Sequence, residues 1–244
     1  MPKPDRLQYQ RLIKSLIADV GFEAAMRLAP GGEFELFGLL ERELLIQHGL
    51  HRDAYLIDVG CGSGRLARPL TDHLSDSARY LGLDIVTELV KYARRLVGRP
   101  NWRFKVTDGQ KIPEKDGQAD MVCFFSVLTH LTHEQSYLYL AEARRVLKPG
   151  GKIVLTFLEF DQEIHWPIFE AAVQKLDDPS YTTTTFIGRD GIRAWAAHLN
   201  LRIEALVSAD ECHIAFDRVV TLEDGRLLGD NQAFGQSICV MVKD

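Results

Sequence analysis

The stretch LIDVGCGSGRL, residues 56–66, decides how the first half of this chain folds. An apolar run that ends at Asp58 is followed by glycines at positions 60, 62 and 64. Such a run predicts a buried strand. Glycine lets the chain turn through positive φ and lets a ligand approach the backbone without meeting a Cβ atom. The stretch therefore predicts a strand, a sharp turn and a helix that begins near Arg65, whose amide groups favour polar or anionic ligand groups.

From residue 54 to residue 158, apolar runs alternate with amphipathic stretches, and the alternation gives five strand–helix repeats. Near-continuous apolar strands separated by helices predict a parallel sheet covered on both faces. Thr132 and Gln135 have capping-box spacing, which places a helix start at His133. The KPGG at 148–151 ends that helix. The predicted fold class is α/β, a Rossmann-like doubly wound and mainly parallel sheet with helices on both faces.

The chain divides into three predicted parts. Residues 1–53 have apolar residues three and four apart, which indicates an N-terminal helical segment that packs on the core. Residues 54–158 form the core, and residues 159–244 complete the sheet with a helix in 188–201 and strands in 201–209 and 236–243. The polar, turn-rich stretch 178–188 is either a surface loop or a lid over an acceptor site.

Composition excludes several classes of protein. With 46% apolar and 26% charged residues and a net charge of −5, the chain is typical of a globular protein without a basic field for nucleic acid. No apolar run approaches the roughly 18 residues of a membrane span, so we expect a cytoplasmic protein without membrane insertion. The four cysteines form no C-x-x-C pair. The oligomeric state leaves no trace in the sequence.

The three glycines alone do not choose between nucleotide ligands. The dinucleotide fingerprint G-x-G-x-x-G needs glycine at position 65 when Gly60 and Gly62 are its first two, and Arg65 stands there. This weakens the interpretation as an NAD(P)-dependent oxidoreductase.

The pattern D-x-G-x-G-x-G, formed by Asp58, Gly60, Gly62 and Gly64, resembles the first motif of class I S-adenosylmethionine-dependent methyltransferases. Further matches follow in order and spacing over residues 54–158: Asp84 after the second strand, Asp108 after the third, and the segments 119–131 and 147–157. The resemblance implies a seven-stranded sheet whose last strand is antiparallel, and S-adenosylmethionine as cofactor.

The resemblance also implies roles for single residues. Asp84 would hold the two ribose hydroxyls through charge-assisted hydrogen bonds. Asp108 would accept from the adenine amine, with Gly109 leaving room for the ring. Asp58 would orient the glycine loop or reach the amino group of the methionine portion through a water. Each acid also has a structural alternative, because aspartates at strand ends often cap helices or satisfy turns. The predicted cofactor site is completed by Cys61, Ile85 and Ser126.

Methyl transfer from a sulfonium is an in-line displacement, so positioning and water exclusion matter most. A base helps when the acceptor is a hydroxyl, and the candidate is His130, which follows the fourth strand. The alternative for His130 is a helix-entry residue that bonds a backbone carbonyl. His130 with His133, and the acidic pair Asp161 and Glu163, suggest a metal only weakly, so we predict no metal.

Two classes of methyl acceptor have recognisable sequence signatures, and this chain lacks both. An Asn or Asp followed by Pro-Pro and an aromatic is missing after the fourth strand, and Cys123 lies inside an apolar run where a thiolate is costly. We therefore predict methyl transfer to an oxygen or nitrogen of a small-molecule acceptor, possibly a saccharide or secondary metabolite. The alternatives are a non-catalytic module that binds S-adenosylmethionine or S-adenosylhomocysteine and, with less support, the NAD(P)-dependent oxidoreductase. Six side chains from the last third are candidates for lining an acceptor pocket or for the core: Trp166, Tyr181, Phe186, Trp195, His213 and Phe216.

Overall fold

Strands between residues 55 and 243 join one sheet in the computed structural model, which describes residues 6–109, 111–178 and 181–244. The strands are β1 (Tyr55–Val59), β2 (Arg79–Asp84), β3 (Arg103–Val106), β4 (Ala119–Phe124), β5 (Leu147–Phe157), β6 (Leu201–Val207), β7 (Val220–Thr221), β8 (Leu227–Leu228) and β9 (Ser237–Lys243). Within the described residues, seven of them form a sheet in the order β3-β2-β1-β4-β5-β9-β6, and β7 and β8 form a small hairpin.

The sheet has the predicted doubly wound architecture. β1 is buried along its whole length and pairs in parallel with β2 on one side and β4 on the other. β9 lies antiparallel between β5 and β6. The prediction of a mainly parallel, seven-stranded sheet closed by an antiparallel last strand is confirmed. The order reverses at β1, between β2 and β4, and ligands of such sheets bind at the carboxyl ends of the strands beside this switch point.

Helices cover both faces of the sheet. They are α1 (Arg6–Val20), α2 (Phe22–Leu28), α3 (Phe34–Gln47), α4 (Ala67–Leu70), α5 (Thr87–Val97), α6 (His133–Val146), α7 (Trp166–Gln174) and α8 (Arg189–His198), with 3₁₀ turns at Leu128–His130 and Glu163–His165. The helix predicted from His133 begins with both hydrogen bonds of its capping box, between Thr132 and Gln135. Within the described ranges, no helix is long and apolar enough to cross a membrane.

The helix predicted from Arg65 is much shorter than expected. It spans only Ala67–Leu70, and turns occupy the residues before it. Pro69 has no N–H to donate to the carbonyl of Arg65, so a helix that began there would lose that hydrogen bond. A start at Ala67 places Pro69 in the first turn, where the N–H needs no helical partner.

The N-terminal helices reach the core through close backbone contact. A Cβ atom on Gly38 of α3 would lie 2.5 Å from the carbonyl oxygen of Arg65. Glycine at this position therefore lets α3 approach the turn that follows β1. This contact places α3 beside the end of β1, where the candidate site lies.

The stretch 178–188 lies only partly inside the described residues, because positions 179 and 180 fall outside them. The part from Tyr181 to Thr185 has no helix or strand, and Phe186 forms an isolated bridge with Leu158 at the end of β5. The amide of Thr185 donates to the carbonyl of Thr129 at 2.7 Å. This segment therefore packs against the 3₁₀ turn that follows β4.

Candidate active site

A cavity opens at the carboxyl ends of β1, β2 and β4, and helices α1 and α3 complete its wall. It brings together eight predicted site residues: Asp58, Gly60, Cys61, Gly62, Asp84, Ile85, Ser126 and His130. Gly64, Asp108 and Gly109 do not line it.

The glycine loop is fastened to the end of β2 by its own amides. Gly60 N and Cys61 N both donate to the carbonyl of Leu83, at 2.7 and 2.9 Å, and Gly62 N donates to the Asp84 carboxylate at 3.0 Å. The amides of Gly60, Cys61 and Gly62 therefore bond within the protein, and the expectation of ligand-binding amides at the start of the helix near Arg65 stays a prediction. Protein oxygens already use these N–H groups, so they do not form an open anion site.

Each glycine of the loop serves a different contact. A Cβ atom on Gly60 (φ +78°) would lie 2.3 Å from Val127 Cγ2, and one on Gly64 (φ +92°) would lie 3.1 Å from Ala93 of α5. These two glycines allow close packing within the protein. A Cβ on Gly62 would meet only Pro30, at 3.6 Å, so Gly62 is the glycine that leaves room on the cavity side.

Asp84 presents a carboxylate to the cavity from the end of β2. Its oxygens accept from Gly62 N at 3.0 Å and Val86 N at 2.8 Å, which fixes the orientation of the side chain. Burial nevertheless raises the pKa of Asp84 to about 6, against the lowering effect of these backbone hydrogen bonds. A half-buried carboxylate with a fixed orientation and spare lone pairs is suited to accept from hydroxyl groups.

Asp58 is occupied by the protein itself. Tyr80 O–H donates to Oδ2 at 2.5 Å, and the Cys123 thiol lies 3.6 Å from Oδ1. Burial raises the pKa of Asp58 to about 7, opposed by the bond from Tyr80. Sequence reasoning missed Tyr80, which lies at the second position of β2, where the strand register brings it beside β1.

The residues after β3 and β4 differ in how they face the cavity. Asp108 is exposed outside the cavity, and Gly109 (φ +80°) donates from its amide to Thr107 Oγ1 at 3.2 Å. Thr107, which the sequence did not single out, lines the cavity instead. Ser126 has φ +57° and is held by Thr156 Oγ1, which accepts from its amide at 2.8 Å.

One ring nitrogen of His130 forms a hydrogen bond with the protein backbone, and the other can accept a proton. Nδ1 lies 3.0 Å from the carbonyl oxygen of Thr183. Because a carbonyl only accepts, Nδ1 carries the proton and Nε2 of the neutral ring keeps its lone pair. Desolvation by the surrounding protein lowers the pKa of His130, although its side chain remains accessible to solvent. The ring of Tyr9, from α1, packs edge-on against it at 5.6 Å between centroids.

Arg65 and Glu41 form a buried ion pair that the sequence did not predict. Arg65 Nη2 bonds the Glu41 carboxylate, and Arg65 Nη1 donates to the carbonyls of Pro30 and Gly31 at 3.2 and 2.7 Å. Both side chains line the cavity, with exposures of 7% and 1%. The arginine that breaks the dinucleotide fingerprint thus ties the glycine loop to the N-terminal helices.

The other predicted groups lie elsewhere. None of the six candidate side chains of the last third is among the described residues that line the cavity. His133 Nε2 donates to the carbonyl of Phe186 at 3.1 Å. Asp161 and Glu163 are exposed, and no group of three His, Cys, Asp or Glu side chains in the described part of the chain is arranged to hold a metal ion.

Comparison with known proteins finds a methyltransferase domain in this chain. Residues 57–155 match the model of a methyltransferase domain. The chain is 35% identical over 118 residues to an uncharacterised 37.1 kDa protein in transposon TN4556 of Streptomyces fradiae, covering 48% of this chain and 34% of that protein. It is 29% identical over 198 residues to a malonyl-[acyl-carrier protein] O-methyltransferase of Geobacter sulfurreducens, covering 78% of this chain and 71% of that protein. The chain thus spans about a third of the Streptomyces protein.

Solved structures show the same fold. The magnesium protoporphyrin IX methyltransferase of Synechocystis PCC 6803, solved with bound S-adenosylhomocysteine, superposes with a TM-score of 0.62 at 16% identity, covering 96% of this chain and 99% of that chain. The domain match and the motifs assembled at the switch point agree with this architecture. Residues 57–155 therefore match a methyltransferase domain, and the chain has the fold of solved S-adenosylmethionine-dependent methyltransferases.

Proposed function

We propose that this protein transfers the methyl group of S-adenosylmethionine to an oxygen or nitrogen of a small-molecule acceptor. One observation carries the proposal: a single cavity holds both the fixed Asp84 carboxylate and the imidazole His130, whose Nε2 has a free lone pair. The first group suits a ribose, and the second suits an acceptor that loses a proton.

The residues present fit an adenosyl sulfonium better than a dinucleotide. Among the described residues that line the cavity, Glu41, Asp58 and Asp84 carry carboxyl groups and Arg65 carries a guanidinium. A pyrophosphate needs free amides at the glycine turn. Gly60 and Cys61 have given theirs to Leu83, which supports the methyl donor over NAD(P).

Asp84 and Gly62 would hold the donor at its ribose. The carboxylate is oriented by two backbone amides, so it accepts hydroxyl hydrogens without first losing side-chain freedom. Asp108 is proposed to accept from the adenine amine at the rim. It lies near enough to Tyr139, a residue that lines the cavity, for its charge to raise the pKa of that phenol after the larger effect of burial.

When bound, S-adenosylmethionine supplies a methyl carbon activated by the positive sulfur. His130 would receive the proton of an acceptor hydroxyl or ammonium at Nε2, while Thr183 O stabilises the resulting imidazolium through Nδ1–H. A lowered pKa keeps the ring neutral, and so able to accept a proton, at neutral pH. Tyr9 of α1 and the segment from Tyr181 to Thr185 would limit the access of water to this end of the cavity.

The decisive experiment is a transfer assay with isotope-labelled S-adenosylmethionine and pooled small-molecule acceptors, read by mass shift of the product. We expect label in an oxygen- or nitrogen-methylated product and loss of that transfer in His130→Ala. Tight cofactor binding without transfer to any acceptor would favour a non-catalytic binding module instead.

A further inference from the structure

We propose that Glu41 binds the α-ammonium group at the methionine end of the donor, which makes it a residue that selects donors carrying this charge. The inference deepens the proposed function and rests on it. It assigns a binding role to helix α3, a part of the chain that lies before the methyltransferase domain at residues 57–155.

Asp58, the acid that the motif suggests for this task, is already engaged. One of its oxygens accepts from Tyr80 at 2.5 Å and the other faces the Cys123 thiol at 3.6 Å. Its side chain is buried to 3% exposure between strands β1, β2 and β4. A ligand ammonium at Asp58 would have to share a carboxylate whose two oxygens both already have a partner in the protein, whereas within the described residues only one bond to a side chain is formed by Glu41.

Glu41 is placed to take over the role. Its carboxylate lines the cavity from the α3 side, beside Arg65 and the glycine loop. The bond from Arg65 Nη2 uses one of about four lone-pair sites on the carboxylate, so acceptor capacity remains. Since β2 carries the ribose group Asp84, the remainder of the donor extends over β1 toward β4, and α3 flanks that path.

The charge state of this corner also favours a cationic ligand group. Burial raises the pKa of Glu41, and the guanidinium of Arg65 opposes that rise. Burying the Glu41 carboxylate costs free energy, and Arg65 alone offsets part of that cost. A second cation beside the carboxylate would offset more of it. Arg65 acts as a positioning residue, because its bonds to Pro30 and Gly31 hold the guanidinium, and with it the carboxylate, against the cavity wall.

The test compares two ligands that differ in one group. Calorimetry measures the dissociation constants of S-adenosylhomocysteine and of its analogue with hydrogen in place of the α-amino group. In the wild-type protein we expect the analogue to bind about 10- to 100-fold more weakly, the usual range for a hydrogen bond to a charged group. In Glu41→Gln the ratio of the two constants should fall below about threefold, as expected once a charge-assisted hydrogen bond is lost.

Glu43→Gln is the matched control, because Glu43 is a buried glutamate of the same helix that pairs with Arg42 and lies outside the cavity lining. It should keep the wild-type ratio. If Glu41→Gln does not fold, Glu41→Asp keeps the charge at a shorter reach and should lower the ratio in part.

Three results overturn the inference. A ratio near one in the wild-type protein, or a wild-type ratio that persists in Glu41→Gln or Glu41→Asp, removes the ammonium contact while leaving the proposed function intact. Wild-type protein that binds neither ligand contradicts the proposed function as well.

Discussion

The two ends of the cavity are built in different ways. At the end of β2, amides of the glycine loop donate to Leu83 and Asp84 at 2.7–3.0 Å, so these contacts lie within one strand–helix–strand unit. At the end of β4, His130 is oriented by Thr183, 53 residues later in the chain, and packs against Tyr9 of the first helix. The cofactor end is fixed locally, whereas the acceptor end depends on segments that are distant in sequence.

Side chains are also more deeply buried at the cofactor end of the cavity than near its acceptor end. The cofactor end contains Asp58 at 3% and Arg65 at 7% exposure. In the segment after β5, Phe160 and Trp166 are about half exposed. Phe160 stacks on Phe186, which follows the segment from Tyr181 to Thr185. Packing constrains the first end much more than the second, so changes at the cofactor end should affect binding and stability, and changes at the acceptor end should affect turnover.

The largest effect should follow from His130→Ala. Loss of the base should lower turnover by about 10²- to 10⁴-fold, while the dissociation constant of the cofactor stays within about twofold. Because desolvation lowers the pKa of His130, wild-type turnover should fall on the acid side with a midpoint below the ordinary imidazole pKa of about 6.5. Steady-state kinetics across pH, beside cofactor calorimetry, measure all three quantities.

His133→Ala is the control for that experiment, since His133 follows in the chain and contacts Phe186 but not the cavity. Its turnover should remain near wild type. Equal losses in the two variants would return His130 to a structural role.

A substitution at the cofactor end, Gly60→Ala, should instead reduce stability. Its Cβ would lie 2.3 Å from the stiff side chain of Val127, and φ is +78°. We expect the free energy of unfolding to fall by about 2–5 kcal/mol, from left-handed strain of about 1–2 kcal/mol and overpacking of about 1–3 kcal/mol. Gly117→Ala, at φ +65° with no neighbour within 4 Å, should show the strain alone in the same denaturant titration. Equal losses would show that the contact with Val127 is unimportant.

Asp84 should make ligand-free stability depend on pH. Its pKa is raised from 3.8 to about 6, so between these values the folded state binds more protons than the unfolded state. The contribution of Asp84 to the free energy of unfolding is therefore complete below about pH 4 and is lost as pH rises through about 6. The loss is at most about 3 kcal/mol. Asp84→Asn should remove this part of the pH dependence of the unfolding free energy. An unchanged slope would mean that Asp84 is not desolvated in the folded protein.

The smallest effect should come from chelation. Asp161 and Glu163 lie outside the cavity and are exposed. We expect a metal chelator to leave turnover within about twofold, because methyl transfer from a sulfonium needs positioning and water exclusion above all. Inhibition that an added divalent cation reverses would give these carboxylates the role of metal ligands.

What the sequence predicts about this protein follows the division between the two ends. The places of Asp58, the glycine loop and Asp84 at the ends of their strands follow from strand periodicity and glycine spacing, which are local signals, whereas their cofactor roles come from the resemblance to the family and stay predictions. The helix near Arg65 is predicted, but the later start and short length of α4 are not, because the effect of Pro69 on the Arg65 carbonyl depends on where the helix begins.

Side chains that meet through tertiary packing were missed for a different reason. Tyr80 and Asp58 come together through the register of β1 with β2, and Glu41 meets Arg65 across 24 residues. Thr183 contributes only its carbonyl oxygen to His130, and a backbone atom leaves no residue-type signal. Arg65 was the one available clue, since a charged residue where a related motif has glycine requires a partner.

Calorimetric titration with S-adenosylhomocysteine tests the central claim most directly, since that claim is that Asp84 and the glycine loop hold an adenosyl donor. We predict one site per chain in the wild-type protein and, for Asp84→Ala, binding weaker by about 1.5–3 kcal/mol, the value of a hydrogen bond to a charged group. No heat with the wild-type protein, or the same dissociation constant in the variant, would contradict it.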